Sequence, residues 1–341
     1  MDSHFGGDAI TIGSKPESVL QIIVPSDCLK STPIMSTETT VESTLQLNNV
    51  PVRDTFAEAF PMTGTRVVVT AHNADWALQA ASEFCGNATS VIACDLETAL
   101  ERELSAEETP DGRPGVSLLA FAFNKKGLES AVTNRVGQCI LTCPTTACYN
   151  GVPCEDRSTS INVGGQVRFF GDGYQGSKKL GSRRFWRIPV MDGEFLCEEK
   201  FGTTKGVGGG NLLIAGDTPE HALVAAERAA EAMKAVPDII LPFPGGIVRS
   251  GSKVGSKYKA LKASTNHQYC PTLQGQVDLK VPEGTRAVYE IVIDGLSEQS
   301  VGDAMKAGLH AATNSPGVLL VTAGNYGGQL GKFHFHLKDL L

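Results

Sequence analysis

The sequence predicts an α+β fold, on three observations. A strand–helix–strand pattern recurs four times, and the four units fall into two pairs. An aromatic, glycine-rich interval separates the pairs. The strand candidates lack the long, uniformly apolar character and the early phosphate-binding glycine turn of the competing reading, one doubly wound parallel sheet.

The composition sets the class. The chain has 341 residues, enough for two domains of ordinary size, with 41% hydrophobic and 20% charged residues. A net charge of -7 argues against general nucleic-acid binding, which needs a basic face. No apolar run is long enough to cross a bilayer. The nine cysteines, an odd count with no secretory leader, fit reduced thiols in a cytoplasmic protein.

Residues 1–42 carry little pattern and are expected to form a disordered N-terminal tail, with Met35 a candidate true start. The first unit has Arg66–Thr70 as strand, Asn73–Cys85 as helix and Ser90–Cys94 as strand. The second has Val116–Phe123 as strand, Lys125–Val136 as helix and Gln138–Cys143 as strand. The third begins at Asn211–Ala215. Its helix, Pro219–Val236, is capped by Thr218 with proline in the first turn, and a strand follows at Asp238–Leu241. The fourth has Arg286–Ile293, a helix over Ser297–Thr313 and a strand over Gly317–Thr322.

Paired units of this kind are split βαβ modules, each a four-stranded sheet with two helices on one face. The expectation is therefore two ferredoxin-like lobes from an internal duplication: residues 43–147, then 148–341 with a hairpin insertion at 150–210.

Chemistry is sought first in Pro242–Lys262, which has four glycines, five basic residues and no acid. Such a loop suits an anionic ligand, because glycine lets backbone N–H groups approach and Lys and Arg add charge; a mobile solvated loop is an equal alternative. Gly246 to Lys253 has two glycines around four residues, but Ser252 precedes Lys253 where a nucleotide loop needs Gly-Lys-Ser/Thr, so phosphoanhydride hydrolysis is not expected. Arg249, Ser250, Lys253 and Lys257 are the candidate anion-binding residues. Glu290 stands alone in the apolar string Ala287–Ile293; such a carboxylate pairs with a base, faces solvent or holds its proton to higher pH. Asn325 and Tyr326, followed by two glycines, suit either a flat ligand or a tight turn. Cys139, Cys143, Cys148 and Cys154 match no metal-ligand spacing and read as small core residues. Glu108–Gly115 reads as a surface turn, Gly171–Tyr174 as a hairpin tip, either ligand-facing or plain, and His334 and His336 as structural.

Seven strings together resemble one family: Asp54–Phe60, Thr109–Val116, Val136–Thr146, Phe169–Tyr174, Trp186–Met191, Pro242–Lys259 and Ala323–Lys332. The chain from about residue 45 onward resembles formylmethanofuran:tetrahydromethanopterin formyltransferase, including the subunit type found in bacterial formyltransferase/hydrolase complexes. The resemblance implies two ferredoxin-like lobes, a homotetramer with its active site at a subunit interface, and formyl transfer in one-carbon metabolism. It implies methanofuran and tetrahydromethanopterin as co-substrates, with no tightly bound cofactor and no metal. Glu290 falls at the position of the family's proposed catalytic carboxylate. A non-catalytic carrier-binding scaffold within a formyl-hydrolysing complex is the alternative.

Overall fold

The structure, a computed structural model, describes residues 44–154 and 158–341. The expected tail, 1–42, and Met35 lie outside the described residues. A hairpin opens the described chain, β1 (Thr44–Leu47) and β2 (Val50–Arg53). Its turn residues Asn48 and Asn49 both have positive φ, 53° and 64°, which asparagine tolerates and a tight two-residue hairpin requires.

The first strand–helix repeat runs β3 (Phe56–Thr70), α1 (Ala74–Cys85), β4 (Glu97–Leu104), β5 (Gly115–Ala122), α2 (Lys125–Arg135) and β6 (Ala147–Asn150). A meander follows: β7 (Gly176–Leu180), β8 (Arg183–Val190) and β9 (Gly193–Glu198), with β9 lying parallel to β6. The second repeat runs β10 (Thr204–Gly216), α3 (Pro219–Lys234), β11 (Ile239–Ile240), β12 (Ala287–Gly295), α4 (Glu298–Thr313) and β13 (Val318–Thr322). A last strand, β14 (Phe333–His336), pairs with the start of β3.

Among the described residues these fourteen strands form one sheet. Within it the first repeat pairs in the order β6–β3–β5–β4 and the second in the order β13–β10–β12–β11. Each repeat thus places its last strand beside its first, and its third beside its second. The two first strands join the repeats: β10 runs antiparallel to β3 from Thr204 opposite Gly64 to Gly208 opposite Phe60.

The helices start where the sequence places caps. Asn73, Asn124, Thr218 and Ser297 each accept a backbone N–H from the first turn, at 2.9–3.0 Å; one such cap contributes about 1 kcal/mol. Helix α3 turns Ala222, Ala225, Ala226, Ala229, Ala230 and Met233 inward, and α4 turns Val301, Ala304, Met305, Leu309 and Ala312 inward. They meet Leu212, Ile214, Ile291 and Ile293 on one face of the second repeat's sheet. Fully burying each large apolar side chain contributes roughly 1.5–3 kcal/mol. Among the described residues the helices keep to that face, and the site forms on the other.

Two expected strands fall elsewhere. Ser90–Cys94 is a turn, with Cys94 N donating to Ser90 O at 2.8 Å; the strand begins at Glu97. Its sequence, ETALEREL, is charged because β4 is a sheet edge, where charge blocks unwanted pairing. Gln138–Cys143 continues α2 as a wide helical turn, Leu141 N donating to Val136 O at 2.8 Å; the strand is Ala147–Asn150. Short apolar runs are compatible with either state, and packing decides between them. Cys148 and Cys197 are buried in the first repeat's core, with Cys139 and Cys143 packed against it, all as free thiols.

Candidate active site

Strand β12 alternates. Ile291 and Ile293 face the helices, so Glu290, Val292 and Asp294 face the opposite side. On β3, Ala57 and Ala59 pack into the second repeat's core while Phe56, Glu58, Phe60 and Met62 turn the other way. A cleft of 1060 Å³ lies over this open face, walled by Glu290 and Val292, by those four side chains of β3, and by the Asn325–Tyr326 loop. Ser90–Ile92 and Glu97, from the first repeat, close one side.

Of the residues expected from sequence, Glu290, Lys253, Asn325 and Tyr326 meet in this cleft. Arg249, Ser250 and Lys257 do not line it; all three are exposed. The chain passes the cleft at Phe243, folds through Gly245 and Gly246 at positive φ, and returns in a hairpin pairing Ser252–Val254 with Ala263–Thr265. That path presents Lys253 and Lys262 while Arg249 and Lys257 stay outside. Arg53, Lys280 and Lys338 join them, so five basic side chains border the cleft of an acidic protein. The anion-binding expectation therefore moves from one loop to a wall assembled from four segments, which sequence proximity could not reveal.

Glu290 is 7% exposed. Its backbone is fixed by a two-way bridge: Val248 N donates to Glu290 O at 2.7 Å and Glu290 N to Val248 O at 2.9 Å. The basic loop and the carboxylate strand are thus one construction. Tyr326 stands beside them. Burial pushes its phenol up, the charge of Glu290 adds to that, and the Val254 N–H works against both.

The position of Tyr326 depends on Glu58, which sequence reading passed over. This carboxylate is 1% exposed, and four backbone N–H groups of one loop converge on it. Tyr326 and Gly328 donate to Oε2 at 2.6 and 3.1 Å, and Leu330 and Gly331 donate to Oε1 at 2.5 Å each. Burial alone would raise its pKa; the four donors outweigh burial and hold it below the ordinary carboxylate value. Asn325 ties the same loop to β3, its Nδ2 donating to Thr55 Oγ1 at 2.9 Å and Phe56 O at 3.2 Å. Asn211 ties it to β10, accepting from Gly324 N at 2.6 Å. The signal at Glu58 was the one used for Glu290, a lone acid in an apolar strand. His336 also lines the cleft, against Phe56 at 5.2 Å between ring centroids, while His334 Nε2 donates to Gly331 O at 3.3 Å.

Beneath the cleft, β10 bulges at Gly208–Gly209, where its register with β12 shifts. Gly209 has φ 90°, a conformation that favours glycine. Its N–H donates to Asp294 Oδ1 at 3.0 Å. Burial pushes Asp294 well above the ordinary carboxylate range, and the Glu97 carboxyl, in hydrogen-bond contact with it, adds to the shift. Burial raises Glu97 as well. By contrast, the Thr109–Gly115 turn is a structural knot away from the cleft: Asp111 Oδ2 accepts from Thr70 Oγ1 at 2.8 Å, Tyr149 OH at 2.9 Å and Arg113 Nε at 2.9 Å.

A buried acid, a phenol, an aromatic floor and a cationic rim suit an anionic, ring-bearing substrate and proton-coupled chemistry that needs no covalent enzyme intermediate. Comparison with known proteins gives this chemistry a family. Residues 45–190 match the family formylmethanofuran-tetrahydromethanopterin formyltransferase, and residues 193–340 match that family's proximal lobe. A formylmethanofuran–tetrahydromethanopterin formyltransferase of Methylococcus capsulatus is 54% identical over 298 residues, covering 86% of this chain and 99% of the relative. One subunit of the formyltransferase/hydrolase complex of Methylorubrum extorquens is 53% identical over 308 residues, 88% of this chain and 98% of the relative. The crystal structure of that complex with methylofuran contains a chain matching with a TM-score of 0.85 and 52% identity, covering 88% of this chain and 99% of the other. The formyltransferase of Methanosarcina barkeri matches with a TM-score of 0.82 and 47% identity, covering 87% and 100%. The chain belongs to the formylmethanofuran:tetrahydromethanopterin formyltransferase family and is an acyl-transferring enzyme that moves formyl groups in one-carbon metabolism.

Proposed function

We propose that the cleft over β12 is where a formyl group passes, reversibly, between a methanofuran-type amine and the N5 nitrogen of tetrahydromethanopterin, with Glu290 as the acid–base group. The observation that carries this is Glu290 itself, a nearly buried carboxyl on the wall of the cleft, bridged by its backbone to the loop that supplies Lys253. The pterin nitrogen attacks the formyl carbon, and its lone pair becomes the new C–N bond. The carbonyl pair moves to oxygen, giving a tetrahedral oxyanion. Collapse restores the carbonyl and breaks the bond to the furan-side amine. One proton must leave the attacking nitrogen and one must reach the departing nitrogen; a single carboxyl facing both serves each transfer. The Tyr326 phenol is the donor for the oxyanion, a contribution on the order of 3 kcal/mol when such a donor is preorganised. The cationic rim holds the anionic tails of the carriers, with Asn325 shaping the ring pocket.

The finer architecture follows the same reading. The matching strand orders and capped helices of the two repeats support two ferredoxin-like lobes from an internal duplication, 43–147 and 148–341. The meander after β6 extends the first repeat's sheet. The Methylorubrum relative, a subunit of a formyltransferase/hydrolase complex, supports a multi-subunit setting, which we take to include a homotetramer in the cytoplasm. The free thiols support a reducing compartment. Among the described residues, no helix is long and apolar enough to cross a membrane. Mixing the purified chain with the formylated furan carrier and tetrahydromethanopterin tests the reading. Appearance of the N5-formyl pterin supports it; binding of either carrier without exchange overturns it.

A further inference from the structure

The Glu97–Asp294 contact is the feature of the cleft wall that formyl transfer does not explain. Asp294 is fully buried, and Glu97 is 7% exposed at the cleft surface. They come from different repeats, Glu97 opening β4 and Asp294 near the end of β12. One oxygen of each accepts a backbone N–H. Asp294 Oδ1 accepts the Gly209 N–H at 3.0 Å, and Glu97 Oε1 accepts the Val91 N–H at 2.9 Å. Ser90 supplies a further hydroxyl to Glu97. Asp294 Oδ2 is buried with no donor. Among the described residues neither carboxyl is in an ion pair. Two carboxylates in contact inside a protein cannot both stay ionised; one proton between them relieves the repulsion and gives the orphan oxygen its partner.

We propose that Glu97 and Asp294 hold one proton between them, and that this O–H···O bond is a positioning device for the formyl-transfer cleft. Through Val91 it fixes the Ser90–Ile92 turn, and through Gly209 it fixes the Gly208–Gly209 bulge; both line the cleft. Loss of the proton leaves two like charges pressing those walls apart. The groups acting on the pair are the two carboxyls, the Ser90 hydroxyl and the N–H groups of Val91 and Gly209, and only the carboxyls titrate. The positioning role rests on reading the cleft as the transfer site; the shared proton does not.

Two measurements on the intact chain separate these. Infrared difference spectra of wild type against Glu97→Gln and against Asp294→Asn, at neutral pH, report a protonated carboxyl directly. Each variant is expected to lose a protonated-carboxyl C=O band that Glu290→Gln retains; survival of every such band in both variants overturns the shared proton. The second measurement is the pH profile of kcat. Wild type should lose about tenfold per pH unit beyond an alkaline limb set by loss of the shared proton. Either amide supplies a permanent N–H in place of that proton and should move the limb upward. Asp294→Asn should keep more than about a third of the neutral-pH kcat, whereas Asp294→Ala should lose more than about tenfold, chiefly in kcat. If Asp294→Ala does not fold, Glu97→Gln and the wild-type profile still decide. An alkaline limb identical in wild type and both amide variants overturns the positioning role, even where the infrared band is lost.

Discussion

Replacing Glu58 by glutamine keeps the shape of the side chain and exchanges one acceptor oxygen for an NH2 donor. Four N–H groups of the 326–331 loop converge on the carboxylate, two on each oxygen. The variant therefore leaves two N–H groups facing a donor. Hydrogen bonds to a charged group contribute about 1.5–3 kcal/mol each, so the local loss is roughly 3–6 kcal/mol. That rivals the whole stability of an ordinary domain, ~5–15 kcal/mol, but the loop can escape most of it by swinging out to water. The expected result is a folded protein with a released loop. Hydrogen exchange at Tyr326, Gly328, Leu330 and Gly331 should rise at least tenfold, helix content should hold, and kcat/KM should fall as Tyr326 leaves Glu290. The pH response follows from the sign of the shift. Because the fold lowers the Glu58 pKa, its contribution is complete above the unfolded-state value, about 4.3, and is lost as pH falls through the lower folded value. The variant should therefore unfold less steeply in acid than wild type. Unchanged exchange at those four amides would refute the idea that Glu58 holds the loop.

Three further outcomes are expected. Lys253→Ala, Lys262→Ala and Lys280→Ala should each raise KM for an anionic carrier about tenfold, about 1.4 kcal/mol, and weaken its salt dependence. Arg249→Ala and Lys257→Ala, outside the cleft, should do neither; steady-state kinetics at two ionic strengths checks this. Arg135 donates to Phe84 O at 2.6 Å and Gly86 O at 2.7 Å, and meets Asp95 at 2.6 Å. Arg135→Ala should cost about 2–4 kcal/mol of stability in denaturant titration, because it leaves the Phe84 and Gly86 carbonyls without their donor. Gly209→Ala forces a side chain into φ 90°, about 1–3 kcal/mol of strain beside the cleft. Thermal unfolding and kcat should both register it.

Much of this was legible in the residues because local chemistry fixed it. The helices announced themselves by their caps and periodicity, and the strands of the second repeat by apolar runs between turn residues. Glu290 was visible because an acid in an apolar strand is costly wherever it lies. What escaped was set by tertiary pairing. Edge strand β4 is charged and resembles a surface helix, and the run after α2 is apolar enough for either state. Glu58 and Asp294 carried the same signal as Glu290, but their partners lie far along the chain: a loop at 326–331 and a strand at 97–104. The cationic rim was found in part, through Lys253. Lys262, at the end of the same stretch, was not singled out, and Lys280 and Lys338 stand in segments with no unusual composition.

The formyl-transfer assignment of Glu290 meets its most direct test in single-turnover kinetics of Glu290→Gln, with carrier affinities measured alongside. An amide of the same size keeps the cleft's shape but cannot move a proton. The account predicts a rate of formyl transfer lowered by about 10²–10⁴, with both carriers bound nearly as tightly as by wild type. A variant that transfers formyl at the wild-type rate would contradict it.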